Sequence, residues 1–482
     1  MEPTIDKRRA GILLHPSSLP RGDLGPDALR FLDFVRDAGL SVWQVLPLGP
    51  THADGSPYHC LSVHAISPAL ISLESLVQRG WLAQAPANAD AVTRRAAFEQ
   101  AHQSLLARGH ADDRAAFEEF CSEQDRWLRD YALYQALRED NGEEPWWRWP
   151  QPVRDRSSHA LAETERRLGT RIEAIRFEQF VAVDQWQQLR AAARARGVLL
   201  FGDMPIFVAH DSAEVWAHRD CFKLDKYGQP IEVAGVPPDY FSATGQYWGN
   251  PMYDWDCMRA QGFDWWIARM QTELSRFDLV RVDHFRGFEA CWEIPANETT
   301  AVNGRWVKAP GDALFNTLIA RFGRLPLVAE DLGLITPEVT ALRESYGMPG
   351  MAVLQFAFDG GPDNPYLPHN LKPDLVVYTG THDNDTTASW FEALSAQQQL
   401  RVVDYFGYLH EPMPWPLIRA ALASVGRLAV IPMQDLLGHG RGHRMNTPGT
   451  ASGNWGWRFS WDQLPPDLAA GMKRLVGLYG RE

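Results

Sequence analysis

Charged side chains stand at the ends of short apolar runs throughout the chain. Asp203 lies in VLLFGDMPIF, Arg281 and Asp283 in LVRVDHF, Glu330 and Asp331 in LPLVAEDL, His382 and Asp383 in LVVYTGTHD, and Asp435 in LAVIPMQD. Burying several like charges together is costly, so folds avoid it without a reason. For any one of these residues the alternative is a cap on the following helix or turn, but for the whole set that alternative is poor. Clustered carboxylates commonly bind a hard cation or work on a glycosidic bond. A magnesium or calcium site would draw on Asp331, Asp383 and Asp385. Glycosidic chemistry needs an ionised carboxylate at the sugar carbon and a protonated acid at the leaving oxygen. Arg281 is two residues from Asp283, so on a strand both side chains share a face. A guanidinium there keeps Asp283 ionised, as a nucleophile requires. Glu330 sits between Leu327-Val328-Ala329 and Leu332, where partial desolvation raises its pKa toward that of a working acid.

Two further signals are weaker. His439 and His443 have the spacing of helical metal ligands, but the glycines of GHGRGH argue for a loop. His15, at the end of the first apolar run, faces either the pocket or the core.

These residues need a frame that brings strand ends together. Eight β-rich runs recur: Ala10–His15, Val42–Pro47, Val198–Phe207, Leu279–Phe285, Leu325–Leu332, Ala352–Phe358, Leu375–Asp383 and Leu428–Asp435. Near-continuous apolar runs of this length suit parallel strands buried on both faces. Helical periodicity separates most of them, as over Asp27–Ala38 and Thr336–Tyr346, where Pro337 follows a Thr336 N-cap. Alternation of eight strands with helices predicts an α/β fold, a (β/α)8 barrel with its active site at the carboxyl ends of the strands. An open doubly wound sheet is the other candidate, but the chain has neither G-x-G-x-x-G after its first strand nor G-x-x-x-x-G-K-[ST].

A plain barrel takes about 250 residues, and this chain has 482. The excess is expected as large insertions after the second and third strands. One is a mostly helical subdomain at about 75–195, helical above all over Asp90–Ala195. The other is a loop-rich segment at about 211–265, in which Gly228–Asp254 reads as a long loop. The whole of 1–482 is then one catalytic unit.

A net charge of −13 argues against a nucleic-acid partner, since phosphate neutralisation needs clustered Lys and Arg. The five cysteines are scattered without C-x-x-C, which fits a reducing compartment. The N-terminus lacks the apolar core of a signal peptide, and no apolar run approaches the roughly 18 residues that span a bilayer. A cytoplasmic protein with no membrane partner is expected. Nineteen tryptophans are compatible with stacking on sugar rings, although most will be core. No sequence feature fixes an oligomeric state.

The stretches GILLHPSSLP, VWQVLPLGPT, GDMPIFVAHDSAEVW, GVPPDYFSATGQYWGNPMYDW, LVRVDHFRGFEACWEIPA, VAEDLG, LQFAFD, YTGTHDNDTT and SGNWGWR run from residue 11 to residue 458. In them the chain resembles the 4-α-glucanotransferases called amylomaltase or disproportionating enzyme, relatives of the α-amylase barrels. The resemblance implies a barrel without a separate C-terminal β-domain and a retaining double displacement. It implies Asp283 as nucleophile, Glu330 as acid/base and Asp383 as the carboxylate that grips sugar hydroxyls. Asp203, Arg281 and His382 would line the site of the cleaved sugar, with Tyr58 stacking beneath it. Ser56 and Asn454 are carried over as further substrate contacts. The loop with Asp239, Tyr240, Phe241 and Trp248 would arch over the cleft and hold the acceptor. Maltooligosaccharides, glucose and α-1,4-glucan chains are the implied partners, with no metal or organic cofactor. The chain departs from the family pattern at His59-Cys60 and over Val63–Pro68, which bears on which donors and acceptors fit. Two rivals stand beside this reading: a glucan hydrolase with the same site, and a non-catalytic glucan-binding protein. The intact Asp283, Glu330 and Asp383 speak against the second.

Overall fold

A computed structural model describes residues 7–87, 89–108, 111–238, 242–407 and 410–482. Among these residues the strands are β1 (Arg9–Leu13), β2 (Val42–Gln44), β3 (Leu199–Pro205), β4 (Glu232–Val236), β5 (Gln246–Pro251), β6 (Leu279–Asp283), β7 (Ala290–Pro295), β8 (Arg305–Lys308), β9 (Leu327–Ala329), β10 (Gly350–Val353), β11 (Leu375–Tyr378) and β12 (Leu428–Pro432). Eight of them form one parallel sheet in the order β10-β11-β12-β1-β2-β3-β6-β9. Its two ends meet. The Ala329 amide donates to the Pro349 carbonyl at 2.8 Å, and the Met351 amide donates to Asp331 Oδ1 at 2.8 Å. The sheet is therefore a closed (β/α)8 barrel, and each of the eight apolar runs overlaps one strand, although the sixth does so only at Ala352 and Val353, because Leu354–Phe356 turn as a 3-10 segment.

Alternation along each strand decides what the barrel encloses. Leu13, Val42, Phe201, Leu279, Val328, Met351, Val376, Tyr378, Leu428 and Val430 pack together inside, while Ala10, Ile12, Leu200, Val280, Val282, Ala352 and Ala429 pack outward against helices. With a side-chain period of two, the inner face of β6 reads Leu279, Arg281, Asp283 and that of β3 reads Phe201, Asp203, Pro205. The β3–β6 register pairs Asp203 with Arg281 and Pro205 with Asp283. On the outer side of β3, Gly202 makes room for a neighbour. A Cβ there would lie 2.3 Å from the ring of Phe277, the residue that ends the helix Asp264–Arg276.

Helices Pro26–Asp37 and Pro337–Ser345 form where the periodicity places them. Between β2 and β3 the chain passes through helices Ala91–Arg108, Ala111–Glu123, Asp125–Asp140 and Ser158–Ala195. None of the helices among the described residues is long and apolar enough to cross a membrane.

The segment 228–254, expected as a loop, instead contains two strands. β4 and β5 pair antiparallel and join β7 and β8 in a second sheet, ordered β5-β4-β7-β8. The glycines that suggested a loop serve close approach. A Cβ on Gly235 would meet the Gln246 carbonyl oxygen at 2.2 Å. Much of the pairing comes from β7, more than 50 residues downstream, so the local sequence carries little of the signal.

Candidate active site

The carboxyl ends of β3, β6, β9 and β11 bring together most of the residues singled out in the sequence. Arg281, 5% exposed, lies at the centre. Its Nη1 donates to both carboxylate oxygens of Asp203 at 2.8 and 2.7 Å, and its Nη2 donates to Asp283 Oδ1 at 2.7 Å. One planar guanidinium thus fixes two carboxylates, which its fork geometry suits and a point charge would not. The Tyr58 hydroxyl donates to Asp203 Oδ2 at 2.7 Å. Burial pushes the Asp203 carboxyl up, and the Arg281 charge opposes that rise.

Glu330 follows β9. Its Oε2 accepts from the His284 amide at 2.8 Å and its Oε1 from the Leu332 amide at 3.0 Å. Its own backbone joins β6, with the Glu330 amide donating to the Val282 carbonyl and the Phe285 amide to the Glu330 carbonyl. Burial raises its pKa to about 7, with Asp283 adding to the rise while Arg281 and the two amides oppose it. The group is therefore partly protonated near neutrality.

Asp383 and His382 follow β11. His382 Nε2 lies 3.3 Å from Asp383 Oδ2, and the Asn446 amide donates to Asp383 Oδ1 at 2.6 Å. Burial works against both charged forms. The Asp383 carboxylate outweighs it at His382, whose pKa is raised, and His382 and Asn446 hold Asp383 well below the usual carboxylate range. The Tyr58 ring stacks on His382 at 5.0 Å, with Trp455 5.9 Å from each.

Ser56 and Asn454 use their polar atoms within their own loops. Ser56 Oγ accepts from the Tyr58 amide at 3.3 Å, and Asn454 Oδ1 accepts from the Thr447 amide at 2.9 Å. Trp248, on β5, is 37% exposed and meets the His284 ring edge-on at 4.9 Å. Asp239, Tyr240 and Phe241 lie outside the described residues.

Two carboxylates read from strand ends, Asp435 and Asp331, and Asp385 of the alternative cation site are engaged elsewhere. Asp435 is 1% exposed and accepts from Thr379 Oγ1, Thr387 Oγ1 and the Thr387 amide at 2.6 to 2.7 Å, so it secures the start of helix Thr387–Ala393. Asp331 is taken by the Met351 amide and by Arg343 at 3.2 Å, and Asp385 by the Thr386 amide and Ser389 Oγ. The cation arrangement of Asp331, Asp383 and Asp385 is not formed, and no group of three His, Cys, Asp or Glu among the described residues is placed to hold a metal. His439 and His443 stack on each other, and Trp457 donates to His443 Nδ1 at 3.1 Å. His15 is buried behind His382, and that burial pushes its pKa down to about 3.

Asn446, Trp455 and His284 complete the site without having been singled out. Trp455 and His284 lie within the quoted motifs SGNWGWR and LVRVDHF, which was the available signal. Asn446 reaches Asp383 from a loop, and nothing in its spacing announces it.

The arrangement comprises an oriented carboxylate, a neighbouring acid of raised pKa, a third carboxylate held by His382 and Asn446 and an aromatic floor, as cleavage of a glycosidic bond requires. Comparison with known proteins agrees. Residues 13–464 match the family model described as 4-alpha-glucanotransferase. A 4-alpha-glucanotransferase of Synechocystis sp. is 48% identical over 501 residues, covering 99% of this chain and 99% of the relative. One from Thermus thermophilus is 47% identical, covering 97% and 98% respectively. The structure of amylomaltase from Streptococcus agalactiae in complex with acarbose is similar at a TM-score of 0.95 and 35% identity, covering 98% of this chain and 100% of that one.

Proposed function

The chain belongs to the family of 4-alpha-glucanotransferases, and from that premise we propose that Asp283 is its nucleophile, Glu330 its acid and base, and Asp383 the carboxylate that grips the sugar. The enzyme cleaves α-1,4-glucans and passes the severed glucanosyl unit to the 4-hydroxyl of an acceptor, by a retaining double displacement through an aspartyl intermediate. The observation that carries the residue assignment is the shared Arg281 fork beside an acid whose pKa is raised to about 7.

In the first step Glu330 gives its proton to the glycosidic oxygen as that oxygen leaves C1. Asp283 attacks C1 from the opposite face through Oδ2, because Oδ1 is held by Arg281, and its negative charge goes into the new ester bond. In the second step the ionised Glu330 takes the proton of the acceptor 4-hydroxyl. The acceptor oxygen attacks C1, the ester breaks and Asp283 regains its charge. Two inversions restore the α configuration. Tyr58 and His382 form the floor beneath the cleaved sugar, and Asp203 anchors Tyr58 and Arg281. Asp383 accepts from sugar hydroxyls and stabilises the positive charge that develops at C1. Ser56 and Asn454 contact the substrate as well, from the loops that present Tyr58 and Trp455. Trp248, with Asp239, Tyr240 and Phe241 beside it in sequence, holds the acceptor.

The chain 1–482 is read as one catalytic unit, with 75–195 and 211–265 as insertions into the barrel. The five free cysteines suit a cytoplasmic enzyme.

Pure maltotriose tests the activity: a ladder of longer sugars plus glucose is expected, and shortened sugars alone would make the protein a hydrolase. Glu330→Gln with α-glucosyl fluoride tests the roles. Its fluoride needs little proton help to leave, while the missing base stalls the second step. A glucosyl ester should therefore accumulate on the peptide holding Asp283, and an ester on any other residue would remove Asp283 from its role.

A further inference from the structure

The helix Asp264–Arg276 buries three charged side chains, Arg269, Glu273 and Arg276, spaced so that they share one face. Arg269 Nη1 donates to the Ile206 carbonyl at 2.9 Å and to the Tyr253 hydroxyl at 3.2 Å, and its Nη2 donates to the Pro205 carbonyl. It thereby holds the chain where it leaves β3, next to Phe207, whose ring lies 6.2 Å from both Trp248 and His284. Arg276 donates to the His64 carbonyl and so holds the segment that follows Tyr58. One arginine steadies the acceptor side of the cleft and the other the floor beneath the cleaved sugar.

Glu273 lies between them. It is 7% exposed, and its carboxyl makes no hydrogen bond to the described residues. Burial opposes its charge, as does Asp203, while Arg276 and Arg269 favour it. At Arg276 the carboxylate of Glu273 in turn works against the effect of burial. A buried carboxyl without a hydrogen bond is costly and calls for an explanation. Glu273 borders a chamber of about 40 Å³, whose wall also includes Arg269, Arg276, Tyr58 and Phe207. One water needs about 10–15 Å³ and two to four polar partners, so about two or three fit there. The side chain of Asp203 is sealed from the chamber by Arg281 and Tyr58. Water in it therefore serves Glu273 and the two arginines.

Cys60 and Val63 also line this chamber. Both belong to the stretches where the chain departs from the family pattern, so those departures reach the underside of the floor that carries the sugar.

We propose that Glu273 is a positioning residue for glucanosyl transfer: through water held in the chamber it links Arg269 to Arg276, and so keeps Tyr58 and Phe207 in fixed relation across the scissile bond. The proposal rests on the sugar-binding roles given above to Tyr58 and Trp248. Its test compares Glu273→Leu, Glu273→Gln and Glu273→Asp with the unaltered enzyme on maltotriose, at a temperature well below the melting point of each. Leucine fills a similar volume but cannot hold water, whereas glutamine can. Glu273→Leu is expected to raise KM about fivefold with a smaller change in kcat, and to raise the ratio of hydrolysis to transfer about threefold. Glu273→Gln should restore both values to near those of the unaltered enzyme. Glu273→Asp withdraws the carboxyl by one carbon and should shift both values in the same direction by a smaller factor, which decides the matter if Glu273→Leu does not fold. A crystal structure of the unaltered protein should show water within about 3.2 Å of the Glu273 carboxyl. A dry chamber overturns the proposal. So do KM and product ratio that stay unchanged in Glu273→Leu, or in Glu273→Asp if the former does not fold, even with a lowered melting temperature, since Glu273 is then only structural. Equal shifts in Glu273→Leu and Glu273→Gln overturn the link through water. All of these results leave Asp283, Glu330 and the transfer reaction standing, whereas an unaltered enzyme that forms no ladder from maltotriose removes the reading on which the proposal rests.

Discussion

Arg281 shows how one side chain sets the chemistry at this site. It satisfies Asp203, which is buried, and orients Asp283, which is 30% exposed at the side chain. A lysine carries the same charge but has no rigid fork to span two carboxylates. Arg281→Lys is therefore expected to lower kcat by at least about 100-fold, or roughly 3 kcal/mol of barrier, with a lower melting temperature because a buried carboxylate loses a partner. A variant within tenfold of wild type would show that Asp283 does not need the fork. Glu330 makes a second prediction, on pH. With a pKa of about 7 in the folded protein, its proton is lost as pH rises past neutrality, so kcat/KM should fall there. Stability changes in the same direction. The unfolded chain releases this proton near pH 4.3, so between roughly 4.3 and 7 the folded state holds a proton that the unfolded state has lost, and stability falls as pH rises. Glu330→Gln removes that titration. It should be more stable than wild type at pH 8, by up to about 3 kcal/mol, and about equal at pH 4. An equal gain at both pH values would mean that burial of this carboxyl is not the cause.

At the scale of elements, alternation along β3 and β6 positions Asp203, Arg281 and Asp283. That alternation was legible because a two-residue period needs only the strand to be recognised. It was less reliable at the strand ends. Asp435 reads like Asp203 in sequence, yet it follows β12, where the chain turns directly into the helix Met433–Leu436, and its carboxylate ties down another helix. A strand-end carboxylate is thus ambiguous until the next turn is known. The second sheet escaped the sequence because Gly235 and the polar, Gly- and Pro-containing β5 look like loop, and long-range pairing with β7 makes up for their low strand propensity. Gly202 supplies an element-scale test. Its missing Cβ lets Phe277 close the helix Asp264–Arg276 onto β3. Gly202→Ala should destabilise the fold by about 1–3 kcal/mol through overpacking, and Phe277→Leu should recover part of that loss. Thermal unfolding of the single and double variants measures the coupling, and additive losses would mean that Phe277 is not what the glycine accommodates.

Across the whole molecule, β6 leads directly into the second sheet. After Asp283 the backbone takes a left-handed turn at His284 (φ 55°), passes through a short 3-10 segment, Phe285–Phe288, and enters β7, which pairs with β4 and through it with β5. Trp248 on β5 returns to pack against the His284 ring, and Asn250 donates to the Val208 carbonyl just beyond β3. The indole thus packs against the residue whose amide donates to Glu330. This placement bears on why the ester intermediate is handed to a sugar. Water at about 55 M competes with an acceptor at about 1 mM, so the acceptor needs roughly 6 kcal/mol of effective preference. Binding and orientation of the acceptor can supply an amount of that order. An exposed indole beside His284 and Glu330 is suited, given the roles proposed above, to stack on the acceptor ring and cover the ester while it waits. Trp248→Ala should then raise the ratio of hydrolysis to transfer by about tenfold, the equivalent of about 1.4 kcal/mol of lost acceptor preference, while total bond cleavage falls much less. Reducing-end release from maltotriose reports hydrolysis, and free glucose formed together with longer products reports transfer. If both rates fall in proportion, Trp248 only braces the second sheet against His284, and water is kept out elsewhere in the cleft.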